Sequence, residues 1–171
     1  APPMICVVHG QRQVVIWHPD AVCGLEPSTG RVLWSQPYPV IGKPQRPEVT
    51  VATPRWDGRW LFVTTFYHGA SMLEPGADQV RVVWNRKSSR QSVMNDGLHG
   101  VIGTPLFRDG HIYGVCGFGE LRCLEAATGD RRWETRAATG GKSGLFATVF
   151  IIEQDERSWL WNDQGELILA R

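Results

Sequence analysis

Three histidines and one glutamate are, by type, the side chains of this chain best suited to bind a ligand. Imidazole and carboxylate groups bind metal ions and also hydrogen-bond polar ligands. The strand pattern described below puts all four in loops that open on one face of the fold. It predicts either one shared polar site or separate, solvated side chains. We assign no metal ligands and no catalytic residue. These residues are His18, His68, His99 and Glu120.

The four cysteines contain no Cys-x-x-Cys pair, so the sequence predicts neither a zinc ribbon nor a redox dithiol. Cys116 and Cys123 flank a hairpin whose centre we place between Gly119 and Glu120, and they are therefore expected directly opposite each other. Opposed strand positions have Cβ atoms ~4.5–5.5 Å apart, which is close to disulfide reach. We expect either a Cys116–Cys123 disulfide or two buried thiols.

Motifs of nucleotide binding and acyl transfer are absent. The stretch Gly140-Gly141-Lys142-Ser143 resembles the end of a phosphate-binding loop, but the position that needs the earlier glycine holds Arg136. No Gly-x-Ser-x-Gly nucleophile motif occurs. With 18 basic and 17 acidic residues the net charge is +1, so no nucleic-acid partner is predicted. No apolar run reaches the ~18 residues that a membrane-spanning helix needs.

Glycine and proline interrupt the chain so often that few long helices fit. The 171 residues include 19 Gly and 11 Pro. Two stretches of twenty residues contain neither Gly nor Pro. One of them, 145–164, is rich in β-branched and aromatic residues, which favours strand over helix. The composition predicts an all-β fold.

An internal repeat organises this β pattern. Leu25-Glu26-Pro27-Ser28-Thr29-Gly30-Arg31-Val32-Leu33-Trp34 recurs at 124–133, and a degenerate copy that lacks Thr-Gly ends at Trp84. Each copy fits four short strands joined by turns, and four strands in ~50 residues describe one blade of a β-propeller. We predict one domain or fragment of about 3.75 antiparallel blades at about 4–36, 51–86, 104–135 and 146–171, as part of a larger ring.

The repeated tryptophan is predicted to interlock the blades. A blade hides its faces only against its neighbours, and an indole buries a large area while its N–H finds an acceptor. We therefore assign a structural role to Trp34, Trp84 and Trp133. Gly30 and Gly129 are expected to take a positive φ in the preceding turn.

The pattern Leu-Glu-x-x-Thr-Gly-x-x-x-Trp resembles the tryptophan docking motif of pyrroloquinoline-quinone-type (PQQ-like) β-propeller repeats. This chain has Glu26 and Glu125 where that motif usually has Asp. Further segments look like PQQ-like proteins of planctomycete-type bacteria: 2–22, 96–99, 113–124 and 139–142. The resemblance implies a non-catalytic binding or scaffold module of an exported bacterial protein, located in the periplasm or outside the cell, with a protein or polysaccharide partner.

The alternative function is a fragment of a PQQ-dependent dehydrogenase. Quinoprotein alcohol dehydrogenases typically add an adjacent Cys-Cys pair and an acidic metal site, and neither is recognisable here. No cofactor is therefore predicted. Open blade edges at the ends of the chain are expected to favour self-association.

Overall fold

The computed structural model describes residues 1–40, 49–86 and 97–170. Fifteen β-strands and one short 3₁₀ turn, Ala137–Thr139, are formed in these ranges. They make four antiparallel sheets in chain order. The all-β fold class predicted from the sequence is confirmed.

Each sheet is a meander of consecutive strands, so hairpins make every connection within a sheet. The first sheet comprises β1 (Met4–Val8), β2 (Gln11–His18), β3 (Ala21–Leu25) and β4 (Val32–Pro37). The second comprises β5 (Arg55–Trp56), β6 (Leu61–Thr65), β7 (Gly69–Pro75) and β8 (Val80–Arg86). The third comprises β9 (Leu106–Arg108), β10 (His111–Val115), β11 (Leu121–Glu125) and β12 (Arg131–Thr135). The fourth has three strands, β13 (Val149–Gln154), β14 (Arg157–Asn162) and β15 (Leu167–Ala170).

The Thr-Gly turn has the same geometry in the first and third sheets. Gly30 and Gly129 have φ values of +73° and +75°, as predicted, and each donates its N–H to the carbonyl of the repeat's glutamate, at 2.9 and 2.8 Å. The threonine hydroxyl accepts the N–H two residues later in both copies, at 3.2 Å. The threonine therefore closes the turn with its side chain, while the glycine supplies a backbone conformation that other residues rarely adopt.

The hydrophobic core lies between the sheets rather than within one of them. A first cluster joins Val15 and Trp34 of the first sheet to Leu61 and Leu73 of the second. A second cluster joins the second sheet to the third, and a third cluster joins the third sheet to the fourth. Each sheet therefore becomes stable by packing its faces against its neighbours.

Trp84 links the second sheet to the third. Its Nε1 donates to the Ala126 carbonyl oxygen at 2.8 Å. A Cβ atom built on Gly129 would lie only 2.9 Å from the Trp84 ring. Glycine is therefore required at that turn both by its positive φ and by the approach of the indole.

Trp34 packs against the second sheet, but its indole N–H is linked to that sheet only through Gln13. The Trp34 side chain is buried, and its Nε1 donates to the Gln13 side-chain oxygen at 2.7 Å. The Gln13 amide nitrogen then donates to the Gly76 carbonyl oxygen at 3.0 Å. The repeat in the second sheet lacks Thr-Gly and is two residues longer, and here Gln13 bridges the indole to the altered turn.

Trp133, the third repeated tryptophan, is only partly packed. Its side chain is 44% exposed, and its ring centroid lies 6.0 Å from that of Tyr113 in the same sheet. It lines a cavity of about 310 Å³ between the third and fourth sheets, beside Leu121, Ile151 and Leu160. Within the described residues, no hydrogen bond joins this indole to the fourth sheet, unlike the bond that Trp84 makes.

Candidate functional site

One face of the molecule is formed by loops, and we call it the loop face. Among the described residues, it contains the connections from second to third strand in each sheet and the inter-sheet segments 97–105 and 136–148. The loops are tied to each other, since the Gly117 N–H donates to the His99 carbonyl at 2.9 Å and the Ala147 N–H donates to the Gly117 carbonyl at 3.2 Å. The segments before the third and the fourth sheet therefore both meet the β10–β11 loop on this face.

Three of the four predicted ligand-binding side chains lie buried beneath the loop face. His68, His99 and Glu120 are 5%, 0% and 3% exposed. The expectation that these side chains are separate and solvated is wrong for these three, because the inter-sheet segments cover them. His18 is exposed at the end of β2, away from this cluster.

His99 lies at the centre of the buried cluster. Its Nδ1 donates to the Phe66 carbonyl oxygen at 3.0 Å, and its backbone N–H donates to Cys116 Sγ at 3.3 Å. Burial lowers the pKa of His99, the nearby Arg122 lowers it further, and the Phe66 hydrogen bond opposes both. His99 is therefore a neutral imidazole that joins the second sheet to the third, with Nε2 buried and unpaired among the described residues.

Glu120 and Arg136 form an ion pair at the edge of this cluster. Glu120 Oε1 accepts a hydrogen bond from the Arg136 guanidinium, which holds the segment after β12 against the β10–β11 loop. The other carboxylate oxygen, Oε2, is buried with no partner in the described part of the chain. A cavity of about 260 Å³ lies beside this pair, lined also by Glu134 and Gly141.

Arg122 is a buried residue that the sequence reasoning did not select. It is 1% exposed on β11, where Nη1 donates to the Gly97 carbonyl at 2.5 Å and Nε donates to Glu134 Oε2 at 3.1 Å. The available signal was a charged residue between the apolar residues Leu121 and Cys123. Its guanidinium holds the segment before β9 in place.

The described residues contain no group of three or more His, Cys, Asp and Glu side chains placed to hold a metal ion. The predicted histidines and glutamate therefore do not form one metal centre. His18 has separate neighbours: its Nδ1 accepts the Asp20 N–H at 3.3 Å, and its Nε2 lies 3.9 Å from Cys23 Sγ. What the buried cluster does is to fix the loops that form the face above it.

The predicted Cys116–Cys123 disulfide is wrong, since all four cysteines are free. The register pairs Tyr113 with Cys123 and Val115 with Leu121, so the hairpin is centred on Phe118. Cys116 lies beyond the end of β10, where its backbone N–H donates to the Glu120 carbonyl. Both thiols are buried, which was the other expectation. Burial raises the pKa of Cys116 to about 11.

An aromatic cluster covers the loop face. It is built around Phe66, which is 7% exposed and whose ring centroid lies 5.2–5.8 Å from its three partners. A Cβ atom on Gly117 would come within 2.5 Å of the Phe66 ring, so glycine is needed for this approach. The partners, from three different loops, are Tyr67, Phe118 and Phe146.

Phe146 is held in an unusual backbone conformation. Its φ is +61°, a left-handed value that is rare for a bulky residue and costs of order 1–3 kcal/mol. The ring nevertheless remains 48% exposed, next to Leu145 at 65% and near Tyr67 at 40%. A strained backbone therefore presents an apolar ring to solvent above the buried ring of Phe66.

Charges of both signs lie near the aromatic cluster, since the exposed Asp163 accepts the Thr148 N–H at 3.0 Å, two residues after Phe146. The loops at 65–69, 97–105 and 136–148 contain no Asp or Glu. Lys142 is exposed, and the Arg136 side chain is 37% exposed. The acidic side chain of the β10–β11 loop, Glu120, is buried.

Two arginines of the third sheet bear on whether this chain could hold PQQ, the cofactor of the enzymes named in the family resemblance. A quinone with three carboxylates needs several cationic side chains that converge and are available to it. Arg108 lies 3.4 Å from Asp109 and 3.5 Å from Glu153. Arg122 lies inside the protein on Glu134. The guanidinium groups of Arg108 and Arg122 are therefore already paired with carboxylates of this chain.

Comparison with solved structures supports the propeller architecture. The chain is similar to BamB from Moraxella catarrhalis, at 14% identity and a TM-score of 0.61, over 97% of this chain and 51% of that chain. It is also similar to the computationally designed Ika4 protein, at 11% identity and a TM-score of 0.63, over 92% of this chain and 84% of that one. The four sheets are therefore β-propeller blades, as predicted.

A third similar structure is a europium-containing methanol dehydrogenase, at 18% identity and a TM-score of 0.50, over 77% of this chain and 24% of that chain. This chain spans about half the length of the BamB chain and about a quarter of the dehydrogenase. No protein-family model and no curated protein matches the sequence. In the described residues, no helix is both long and apolar enough to cross a membrane.

Proposed function

We propose that this chain is a non-catalytic binding module of an exported bacterial β-propeller protein, and that it binds a protein partner through its loop face. The periplasm or the cell exterior is the compartment that this proposal assigns, on the family resemblance alone. The single observation that carries the binding role is Phe146, an aromatic ring held half exposed at φ +61° on a buried aromatic base.

The chemistry of the loop face favours a protein segment as the ligand. Exposed aromatic rings on a rigid base are typical anchors of protein interfaces. The exposed basic side chain of Lys142 belongs to the same loop, 136–148, as Phe146. A segment with an apolar side chain next to Asp or Glu would complement both features. A polysaccharide, which also stacks on aromatic rings, is the competing ligand class that the experiment must separate.

Selection from a displayed library of random peptides tests this proposal. We expect wild-type protein to enrich peptides that combine an aromatic or aliphatic residue with acidic residues. Phe146→Ser should abolish the enrichment, whereas Phe150→Ser, which changes a ring of similar exposure on β13 (47%), should preserve it. No enrichment, or equal enrichment by Phe146→Ser, contradicts the proposal. If a parallel assay shows saturable binding to soluble polysaccharides, the ligand of the loop face is a polysaccharide and not a protein.

A titration with PQQ and calcium tests the absence of a reaction. Because the arginines discussed above already contact carboxylates, we expect no saturable change in the absorption spectrum and no dye-linked oxidation of alcohols or sugars. Binding with turnover would favour the dehydrogenase alternative over the binding module.

A further inference from the structure

His99 ties the two central rings of the aromatic cluster to one buried imidazole. Its Nδ1 donates to the Phe66 carbonyl oxygen at 3.0 Å and so holds the backbone of the buried ring. Its own carbonyl accepts the Gly117 N–H at 2.9 Å, and the Gly117 carbonyl accepts the N–H of Ala147, the residue after Phe146, at 3.2 Å. The backbones that carry Phe66 and Phe146 are therefore both fastened to His99.

Two glycines let the chain close tightly over the His99 ring. A Cβ atom built on Gly69 would lie 3.0 Å from the imidazole Cε1, and one built on Gly97 would lie 3.8 Å from Nε2. His99 is accordingly 0% exposed. Water reaches this imidazole only when the segments that cover it separate.

Charged and titratable groups face His99 from several elements. In the described part of the chain these groups are His68, Arg86, Cys116, Glu120 and Arg122. Three of them belong to ion pairs of their own, Arg86–Asp130, Glu120–Arg136 and Arg122–Glu134. The imidazole therefore lies among charges that are already matched to each other.

The closed form of this cluster favours a neutral His99. Burial has the largest effect on the pKa of His99 and lowers it, and the charges of Arg122 and His68 act in the same direction. The hydrogen bond to the Phe66 carbonyl and the charge of Glu120 oppose them without reversing the shift. A proton on Nε2 would have no acceptor among the described residues as they stand.

Opening of the segments over His99 is therefore linked to the uptake of a proton. An opened His99 is hydrated and returns to the ordinary pKa of about 6.5, whereas the closed form stays neutral below that value. Above pH about 6.5 both forms are neutral, and opening does not depend on pH. Below it the opened form binds a proton that the closed form lacks, so opening becomes up to about tenfold more frequent per pH unit.

We propose that His99 is a pH switch of the loop face, at which acid separates the segments that hold Phe66 and Phe146 in their binding arrangement. The same opening breaks the His99–Gly117 hydrogen bond and, through Gly117, loosens the loop that presents Phe146. As a control of binding this inference rests on the proposed function, but the opening itself requires no partner. It is a local event, distinct from unfolding of the sheets.

Amide hydrogen exchange measured by NMR over a pH series tests the switch in the absence of any partner. After correction for the intrinsic exchange rate, the protection factor of the Gly117 amide should be constant above pH about 6.5 and fall up to about tenfold per pH unit below it. Dilute urea should change it little, because a local opening exposes little surface. The amides of β6, where every residue is buried, report unfolding of the whole chain and should be better protected and urea-dependent.

Two variants assign the pH dependence to one imidazole. His99→Asn keeps a donor for the Phe66 carbonyl and has no titrating group, so the protection factor of Gly117 should become independent of pH near 6.5. His68→Asn removes the neighbouring buried imidazole and should keep the wild-type dependence. If His99→Asn fails to fold, the wild-type protein still decides, because the NMR shift of the His99 ring carbon Cε1 should remain that of a neutral imidazole at pH about 6.

The outcomes separate this switch from the proposed function. Peptide selection that fails while Gly117 opens with acid would remove the protein partner and leave the switch in place. The switch is overturned if Gly117 is equally protected at neutral and acid pH, if it exchanges only together with the β6 amides, or if His99→Asn keeps the pH dependence. A wild-type His99 that is already charged at pH about 6 would overturn it as well.

Discussion

The indole nitrogen of Trp34 on β4 lies 2.7 Å from the side-chain oxygen of Gln13 on β2 of the same sheet. In the next repeat, the Trp84 indole N–H donates directly to the Ala126 carbonyl of the following sheet, at 2.8 Å. Gln13 is fully buried, and its amide nitrogen donates a hydrogen bond to the Gly76 carbonyl of the second sheet. One amide side chain thus bridges the gap left where the second sheet has lost its Thr-Gly turn.

Replacing Gln13 should therefore destabilise the chain strongly. Gln13→Leu keeps a similar volume but leaves the Trp34 N–H and the Gly76 carbonyl without partners. Each buried polar group left unpaired costs about 1–3 kcal/mol. Gln36→Leu is the matched control, because the one hydrogen bond that the Gln36 amide makes to the described residues is to the adjacent Pro37 carbonyl. Chemical denaturation measures both free energies of unfolding, and equal values for the two variants would contradict the bridging role.

Trp34 and Trp133, two of the three repeated tryptophans, should differ in their contribution to stability. Trp34 is 3% exposed and Trp133 is 44% exposed. Truncation of a fully buried aromatic residue costs about 3–5 kcal/mol, and we expect this loss for Trp34→Ala. Trp133→Ala should cost less, because its ring already faces a cavity. Thermal and chemical unfolding of both variants checks the order, and a larger loss for Trp133→Ala would show that this indole is more tightly packed than the exposure indicates.

The thiols should react in the order of their burial. Cys23 is partly exposed, whereas Cys6, Cys116 and Cys123 are buried. Burial raises the pKa of Cys6, Cys116 and Cys123, so little reactive thiolate forms at neutral pH. Timed alkylation with peptide mapping should label Cys23 first. A Cys116–Cys123 link recovered under oxidising conditions would contradict the register that pairs Tyr113 with Cys123.

The local turns were predictable because their chemistry resides in adjacent residues. Thr29-Gly30 and Thr128-Gly129 identify a turn with a positive φ at glycine, and no distant contact is needed to infer it. The repeat of Trp34, Trp84 and Trp133 indicated sheets packed side by side. The hairpin of Cys116 and Cys123 was misplaced, because loop length between two apolar strands does not determine register.

The depth of the loop residues was not predictable from the sequence. His99 and Glu120 are polar residues in loops, and loops usually lie at the surface. Their burial depends on segments far along the chain, such as the loop after β12 that pairs Arg136 with Glu120. Phe146 was missed for a similar reason, because its value to the site comes from a backbone angle and from contact with Phe66.

The buried His99 should make stability depend on pH. Burial lowers the pKa of His99 in the folded protein, whereas the unfolded chain has the ordinary value near 6.5. Below that value the unfolded state binds a proton that the folded state does not, so stability falls as the pH decreases. Above it both states are neutral and the effect vanishes. The slope contributed by one histidine is at most about 1.4 kcal/mol per pH unit.

Urea denaturation at a series of pH values between neutrality and acid tests this dependence. His99→Asn keeps a donor for the Phe66 carbonyl and removes the titrating group, so its unfolding free energy should fall less steeply below pH about 6.5 than that of the wild type. His18→Asn changes an exposed histidine at the end of β2 and should retain the wild-type slope. If His99→Asn instead keeps the full slope, another group carries the acid sensitivity, and His99 is not the neutral link between the second and third sheets.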